Sequence, residues 1–267
     1  MFFWILVPGT IAASFCITWG LRRYALAHSM MDIPNERSSH DIATPRGGGV
    51  AIVLTFLSGL IVLKTAGFLP ASFFPALFGA GAWTALIGWA DDRRDIPARL
   101  RLPGHFIGAA WALFWLGGLP PLPVFGGLVA LGWSGHIAAA FYLVWLLNLY
   151  NFMDGINGIA GIEAITVCAG GAVLWGLSPA AGSFWMIPVL GAAASAGFLV
   201  WNFPKARIFM GDAGSGFLGI VLGILSIGAG RLSPELFWGW VILLGAFIVD
   251  ATVTLFRRAF RGEKLYQ

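Results

Sequence analysis

The sequence predicts an all-α polytopic membrane protein with about nine transmembrane helices, an N-terminus outside and a polar site at the cytoplasmic face. Three observations predict it. Of the 267 residues, 58% are hydrophobic and 10% charged, whereas a soluble domain carries about 25% charge. The apolar residues come in runs close to the roughly 20 residues that span a bilayer. The charge is gathered in five stretches, Asp32–Arg46, Asp91–Arg101, Asn148–Gly158, Lys205–Ser215 and Arg257–Lys264, which all fall on one side once the runs alternate across a membrane.

In chain order, residues 2–21 form the first span. No basic residue precedes its apolar run and Arg22-Arg23 follow it, the order of a span entering from outside and not of a signal peptide. Further spans are expected at 48–68, 71–90, 104–119, 133–150, 156–176, 181–201, 214–230 and 235–256. The fourth is short, and Pro120, Pro121 and Pro123 follow it. The loops after spans 1, 3, 5, 7 and 9 then face the cytoplasm and hold fourteen of the sixteen Lys and Arg residues, all but Lys64 and Arg231. That bias obeys the positive-inside rule. It accounts for the net charge of +4, helps hold anionic membrane lipids, and is no sign of nucleic-acid binding. The longest polar loop has about two dozen residues, so 1–267 is one integral membrane domain. Cys16 and Cys168 lie within spans as small packing residues. His28, His40, His105 and His136 lack the paired spacing of metal ligands. Gly104-x-x-x-Gly108 and Gly219-x-x-x-Gly223 are expected to let helices approach closely.

Each polar stretch carries candidate chemistry. In the first inner loop, Arg37 and Arg46 could pair with phosphates or serve as anchors. Asp91-Asp92 close the third span. Adjacent carboxylates repel unless a cation or proton is shared, and Arg93 or Arg94 could be that cation. The pair reads as a site for a divalent metal or for proton transfer, against a plain solvated loop. After the fifth span, Asn148, Asn151 and Asp154 recur every third residue, which puts them on one face if the helix runs to its end. Amide and carboxylate oxygens suit Mg²⁺ or Mn²⁺; capping between spans is the plainer reading. Gly155, Gly158 and Gly161 let backbone approach a ligand. Between Asn202 and Gly216, Lys205, Arg207 and a glycine-rich turn containing Gly211 and Gly214 lead into an apolar helix. Helix N-termini present free N–H groups to anions, so this is a candidate phosphate cradle, with Asp212 as a further metal ligand. Gly214-Ser215-Gly216-Phe-Leu-Gly219 also fits the dinucleotide pattern, but no βαβ unit surrounds it. Glu163 and Asp250 lie inside spans near the inner face, where ionisable groups are functional candidates by default. An interhelical hydrogen bond is the alternative for each.

Together these stretches resemble the polyprenyl-phosphate N-acetylhexosamine-1-phosphate transferases, the glycosyltransferase 4 superfamily that includes the peptidoglycan translocase making lipid I. The similar stretches are Asp32-Ile-Pro-Asn-Glu-Arg-Ser-Ser-His40, Pro45-Arg-Gly-Gly-Gly49, Asp91-Asp92, Asn148-x-x-Asn151-x-x-Asp154-Gly, Phe203-Pro-x-x-Arg207-x-Phe-Met-Gly-Asp212-x-Gly-Ser215 and Asp250 with Arg257-Arg258. The resemblance implies transfer of a sugar-1-phosphate from a UDP-sugar to polyprenyl (undecaprenyl) phosphate with release of UMP, dependence on Mg²⁺ with Mn²⁺ as the alternative, and a place in the bacterial inner membrane. By position, Asp91 and Asp92 match the family's acidic pair and Asp154 its third essential acid. Asn148 and Asn151 match amides near nucleotide and metal, and Asp212 the acid of the glycine-rich loop. On this basis Asp91, Asp92 and Asp154 are expected to be catalytic, and Asn151, Asp154 and Asp212 to hold metal. Arg37, Arg46, Asn148, Asn202, Lys205, Arg207, Gly211, Gly214 and Ser215 are expected to bind substrate. The first-loop wording is nearer to enzymes that start O-antigen or related glycans. Family members usually carry a His- and Arg-rich segment in the last inner loop, followed by further span. This chain stops at Gln267, where that segment is expected to begin, so the resemblance implies a C-terminal truncation or a member lacking that loop.

The sugar and the oligomeric state stay open, a homodimer included. A transporter or lipid flippase is the competing class, with Glu163 and Asp250 as coupling sites and glycines marking broken helices. The clustering of polar groups at one face and the lack of an inverted repeat argue against it. An inactive family member is the third reading.

Overall fold

A computed structural model describes residues 2–34, 41–94 and 96–262. Among them are ten α-helices: α1 (Phe2–Ala27), α2 (Val50–Thr65), α3 (Phe73–Arg94), α4 (Ala98–Leu116), α5 (Gly132–Met153), α6 (Ile159–Gly176), α7 (Met186–Asn202), α8 (Asp212–Leu232), α9 (Pro234–Leu243) and α10 (Gly245–Phe260). Every stretch expected to span contains a helix, although the seventh opens on turn residues and the ninth is broken between α9 and α10. Five helices, α1, α3, α5, α6 and α8, are long and apolar enough to cross a membrane. A sixth crossing follows if α9 and α10, bent by 64° at their junction, are one broken span. The fold is therefore all-α and polytopic. The expected count of about nine exceeds the five or six that length and composition alone support. Part of the shortfall is helix length: α2 has 16 residues and α7 has 17, rises of about 24–26 Å against a hydrocarbon core of about 30 Å.

The bundle is built round α8, in which every residue from Ala213 to Gly230 is buried. A helix apolar on all sides has to be enclosed by others, and α3, α5 and α9 pack along it. The spacing of small residues decides how close they come. A Cβ on Gly219 would stand 2.6 Å from the Leu147 Cα, and one on Gly223 would stand 2.7 Å from the Leu143 Cδ2. Both glycines therefore seat α8 against α5, the packing role their spacing predicts. Gly104 and Gly108 do the same for α4 on α3, against Ile87 and Trp83. On the rim, α1 lies along α7, where the Ser14 hydroxyl donates to the Ala194 carbonyl at 2.6 Å. The outer face of α1 leaves Trp4, Ile5 and Trp19 exposed, as a lipid-facing surface does.

Two short ribbons interrupt the helices. β1 (Met31–Asp32) pairs antiparallel with β2 (Thr44–Pro45) in the first polar loop. β3 (Leu122–Val124) and β4 (Gly127–Val129) form a hairpin between α4 and α5. Its turn residues Phe125 and Gly126 both have positive φ, 47° and 81°, as a two-residue hairpin turn requires. The proline-rich sequence hides this strand pair. Its outer anchor is long-range: the Trp238 indole of α9 donates to the Pro123 carbonyl at 2.9 Å.

Candidate active site

Three helix ends meet at one end of the bundle: the C-terminus of α3 with Asp91 and Asp92, the C-terminus of α5 with Asn151 and Asp154, and the N-terminus of α8 with Asp212 and Ser215. Glycines make the meeting possible. A Cβ on Gly88 of α3 would lie 2.4 Å from the Asp212 carbonyl oxygen, and one on Gly49 would lie 2.4 Å from the Gly214 Cα. Backbone thus touches backbone on two sides of the α8 start. The first polar loop is laced to the same place. Gly48 and Gly49 N–H groups donate to the Phe209 and Met210 carbonyls at 2.9 and 2.8 Å, and Phe209 N–H donates to the Pro45 carbonyl at 2.8 Å.

The acids there are held by named partners. Asp92 is buried and accepts the N–H groups of Asp212 at 3.0 Å and Ala213 at 3.2 Å. It caps α8 from another helix, which satisfies two of the donors a helix start leaves open. Gly214 and Ser215 N–H groups are taken by the Gly211 carbonyl at 3.0 and 3.1 Å. The N–H groups of residues 212–215, which the phosphate-cradle reading expects to face an anion, thus have protein partners in this structure. Gly211 has φ 76°, and a Cβ there would stand 2.7 Å from the Asp92 Oδ2. Only glycine turns the chain there and leaves Asp92 its place. Asp91 accepts the Ile96 N–H at 2.6 Å and the Arg101 guanidinium. The same Arg101 nitrogen also donates to Asp212 at 2.8 Å. The Ser215 hydroxyl lies 3.2 Å from the Asn151 Oδ1, and Asn151 neighbours Asp212.

Asp154 follows the last residue of α5 and is half-buried. Burial, and then the negative charges of Asp212 and Asp92, push its carboxyl well above the usual carboxylate range. Like charges crowded this way favour a bound proton or a cation. The oxygen donors of Asp154, Asp212 and Asn151 have the hard character that Mg²⁺ takes, so the chemistry of the set fits that ion. Among the described residues, no three His, Cys, Asp or Glu side chains already stand grouped to hold a metal, and Arg101 is the cation that meets Asp91 and Asp212.

The sequence signature of the family described as glycosyl transferase family 4 matches residues 74–230, which contain all of these acids. The chain belongs to glycosyl transferase family 4. It is 30% identical to the decaprenyl-phosphate N-acetylglucosaminephosphotransferase of Mycolicibacterium smegmatis, over 93% of this chain and 66% of that protein. It is 29% identical to the probable undecaprenyl-phosphate N-acetylglucosaminyl 1-phosphate transferase of Bacillus subtilis, over 93% and 70%. It is 32% identical to the phospho-N-acetylmuramoyl-pentapeptide-transferase of Moorella thermoacetica, over 84% and 73%. The chain spans about half to two thirds of the length of the mycobacterial relatives it matches.

Other residues expected in the site of this family 4 chain take varied places. Arg46 lies within electrostatic reach of Asp92. Asn148 donates to its own helix, to the Val144 carbonyl at 2.7 Å, and lines a cleft of about 150 Å³ with Arg99, Arg101 and His105. Lys205 lines a separate cleft of about 210 Å³ with Asp41, Thr44 and Asn157. Arg207 is exposed, with its guanidinium over the Trp201 ring. Asn202 is buried as a latch: its Oδ1 accepts the Gly158 N–H at 2.8 Å and its Nδ2 donates to the Ile208 carbonyl at 3.0 Å. Arg37 lies outside the described residues. Arg93, expected as a partner for the acids, stacks over Trp89 and donates to the Tyr24 hydroxyl instead. Glu163 is half-buried on α6 and Asp250 is exposed on α10. Arg101 and His105 escaped sequence reasoning, because an arginine just past an inner loop reads as an anchor. Their four-residue spacing behind Asp91-Asp92 is the signal that places both on the helix face turned to the acids.

Proposed function

We propose that this chain transfers a sugar-1-phosphate, N-acetylglucosamine-1-phosphate first among the candidates, from a UDP-sugar to a polyprenyl phosphate, releasing UMP. The single observation that carries the reading is the gathering of Asp91, Asp92, Asp154, Asp212 and Asn151 where the C-terminal ends of α3 and α5 meet the start of α8. The Mycolicibacterium and Bacillus relatives, named as N-acetylglucosamine phosphotransferases on decaprenyl and undecaprenyl phosphate, support the N-acetylglucosamine and polyprenyl assignments. The proposal includes about nine crossings, an outside N-terminus and a site at the inner face of a bacterial cytoplasmic membrane. A polyprenyl phosphate keeps its tail in lipid and its headgroup at the surface, and a nucleotide-sugar is cytoplasmic, so the two meet at such a boundary.

In this reading Asp154 and Asp212 hold Mg²⁺ together with the Asn151 amide oxygen. When bound, that ion neutralises pyrophosphate charge and stabilises the departing UMP. The chain's own residues position. A phosphate monoester has its second pKa near roughly 6, so the acceptor is mostly dianionic at neutral pH and gains little from a general base. Asp91 and Asp92 accordingly spend their oxygens on the α3–α4 turn, Arg101 and the α8 start. Mutual placement of the two substrates is then the main contribution of the protein. Membranes containing the chain, incubated with several UDP-sugars and polyprenyl phosphate, test this by the mass of the lipid product. A sugar pyrophosphoryl lipid is expected. Lipid movement across the bilayer without any new lipid species would favour a transporter instead.

A further inference from the structure

One nitrogen of Arg101 serves two carboxylates that come from different helices, Asp91 of α3 and Asp212 of α8. Among the described residues, the acids around it outnumber the cations that face them. Asp92 and Asp154 lie close enough to interact with Asp212, Arg46 is the cation within reach of Asp92, and Arg93 is committed to Trp89 and Tyr24. We propose that Arg101 is a built-in counter-ion. Its guanidinium holds Asp212 while no divalent cation is bound, and it has to leave Asp212 when one arrives. The inference rests on the metal reading of the preceding subsection and adds a positioning residue to it.

Two features distinguish a releasable clamp from a permanent ion pair. First, Arg101 is only partly enclosed, with 23% of its side chain exposed and Asp212 at 30%, so breaking the contact does not strand either charge in a dry interior. Second, a destination adjoins it. Arg101 lines the cleft of about 150 Å³ shared with Arg99, His105 and Asn148. His105 is 7% exposed and its Nδ1 is buried with no hydrogen-bond partner. An orphaned ring nitrogen one helical turn away can accept a guanidinium N–H, which relieves the cost of leaving it unpaired. The clamp therefore has two places with partners: Asp212 without a divalent ion, and the His105 cleft with one. Competition of this kind is a coupling between two ligands of one carboxylate, and it works equally in both directions.

The test is a Mn²⁺ titration of the purified full chain in detergent, with free Mn²⁺ read by electron paramagnetic resonance. Arg101→Met is expected to bind Mn²⁺ about tenfold more tightly than wild type, a coupling of ordinary size. Arg101→Lys is expected to fall between them, because a single ammonium bridges two carboxylates less well than a planar guanidinium. A purely structural role predicts the opposite sign, since a loosened site binds metal more weakly. Folded Arg101→Met that binds Mn²⁺ no more tightly than wild type overturns the proposal. If that variant does not survive purification, wild type itself decides through phenylglyoxal labelling of Arg101, followed by peptide mass spectrometry. Mn²⁺ is expected to speed the labelling; an unchanged or slower rate overturns the proposal. Wild type that binds no Mn²⁺ overturns the metal reading and this inference with it. Binding that is lost in Asp212→Asn but untouched in Arg101→Met overturns the inference alone.

Discussion

Replacing Asp92 by alanine separates a capping role from a chemical one. Asp92 receives two backbone N–H groups at the start of α8, at 3.0 and 3.2 Å, and Ala213, one of the donors, is fully buried. Loss of a helix cap costs about 1 kcal/mol, and a buried donor left without a partner costs about 1–3 kcal/mol. Removing a negative charge beside Asp154 and Asp212 acts in the other direction by relieving repulsion. The net expectation for Asp92→Ala in metal-free buffer is a loss of about 1–3 kcal/mol, or about 3–9 °C in melting temperature at roughly 3 °C per kcal/mol. Asp92→Asn keeps one acceptor oxygen and is expected to lose about half as much. Tryptophan fluorescence during thermal unfolding reads stability, and UMP release reads turnover on the same samples. If Asp92→Ala unfolds with wild type while its turnover collapses, Asp92 acts on the substrate and the capping account fails. Restoration of Asp92→Asn turnover simply by raising the pH would refute it as well, because that behaviour belongs to a proton acceptor.

Asn202→Ala removes both bonds of the latch between the Gly158 turn and the loop before α8; at about 1 kcal/mol each it is expected to lose about 2 kcal/mol, with faster proteolysis in 203–210. Asp154 has a folded pKa above its unfolded value, so its favourable contribution is complete below the ordinary carboxylate range and is lost as pH rises through the elevated value. Melting temperature of metal-free protein should therefore fall with rising pH, and Asp154→Asn should flatten that slope. Gly88→Val drives a side chain into the Asp212 carbonyl, and overpacking of about 1–3 kcal/mol or more is expected; a fully stable Gly88→Val would show that α3 and α8 do not meet as described.

Much of the architecture is legible because apolar runs and their alternation fix which helix ends share a side. That logic alone brings Asp91-Asp92, Asp154 and Asp212 to one end, although they lie far apart in sequence, and the three-residue spacing of Asn151 and Asp154 survives because α5 runs to Met153. What the sequence conceals is the identity of partners. Asp92 caps a helix 120 residues away, which no local pattern reports, and the N–H groups it takes are those that the glycine-rich turn advertises as free. Arg93 and Arg94 are the obvious partners for the acidic pair by proximity, yet a helix that stays regular through Arg94 points them away while Arg101 returns on α4. Asn202 looks like a substrate amide until its two backbone partners are seen. Gly88 carries no signal of its own, since the need for it comes from the backbone of α8.

The central claim is that the acids at the start of α8 serve transfer of a sugar together with its phosphate. Purified chain given polyprenyl phosphate, Mg²⁺ and UDP-N-acetylglucosamine carrying ³²P at the β-phosphorus tests it directly. The account predicts that label moves into the lipid, unlabelled UMP appears in equal amount, and Asp212→Asn abolishes both. Label retained in water-soluble nucleotide while the lipid gains sugar, or label in lipid undiminished by Asp212→Asn, would contradict it.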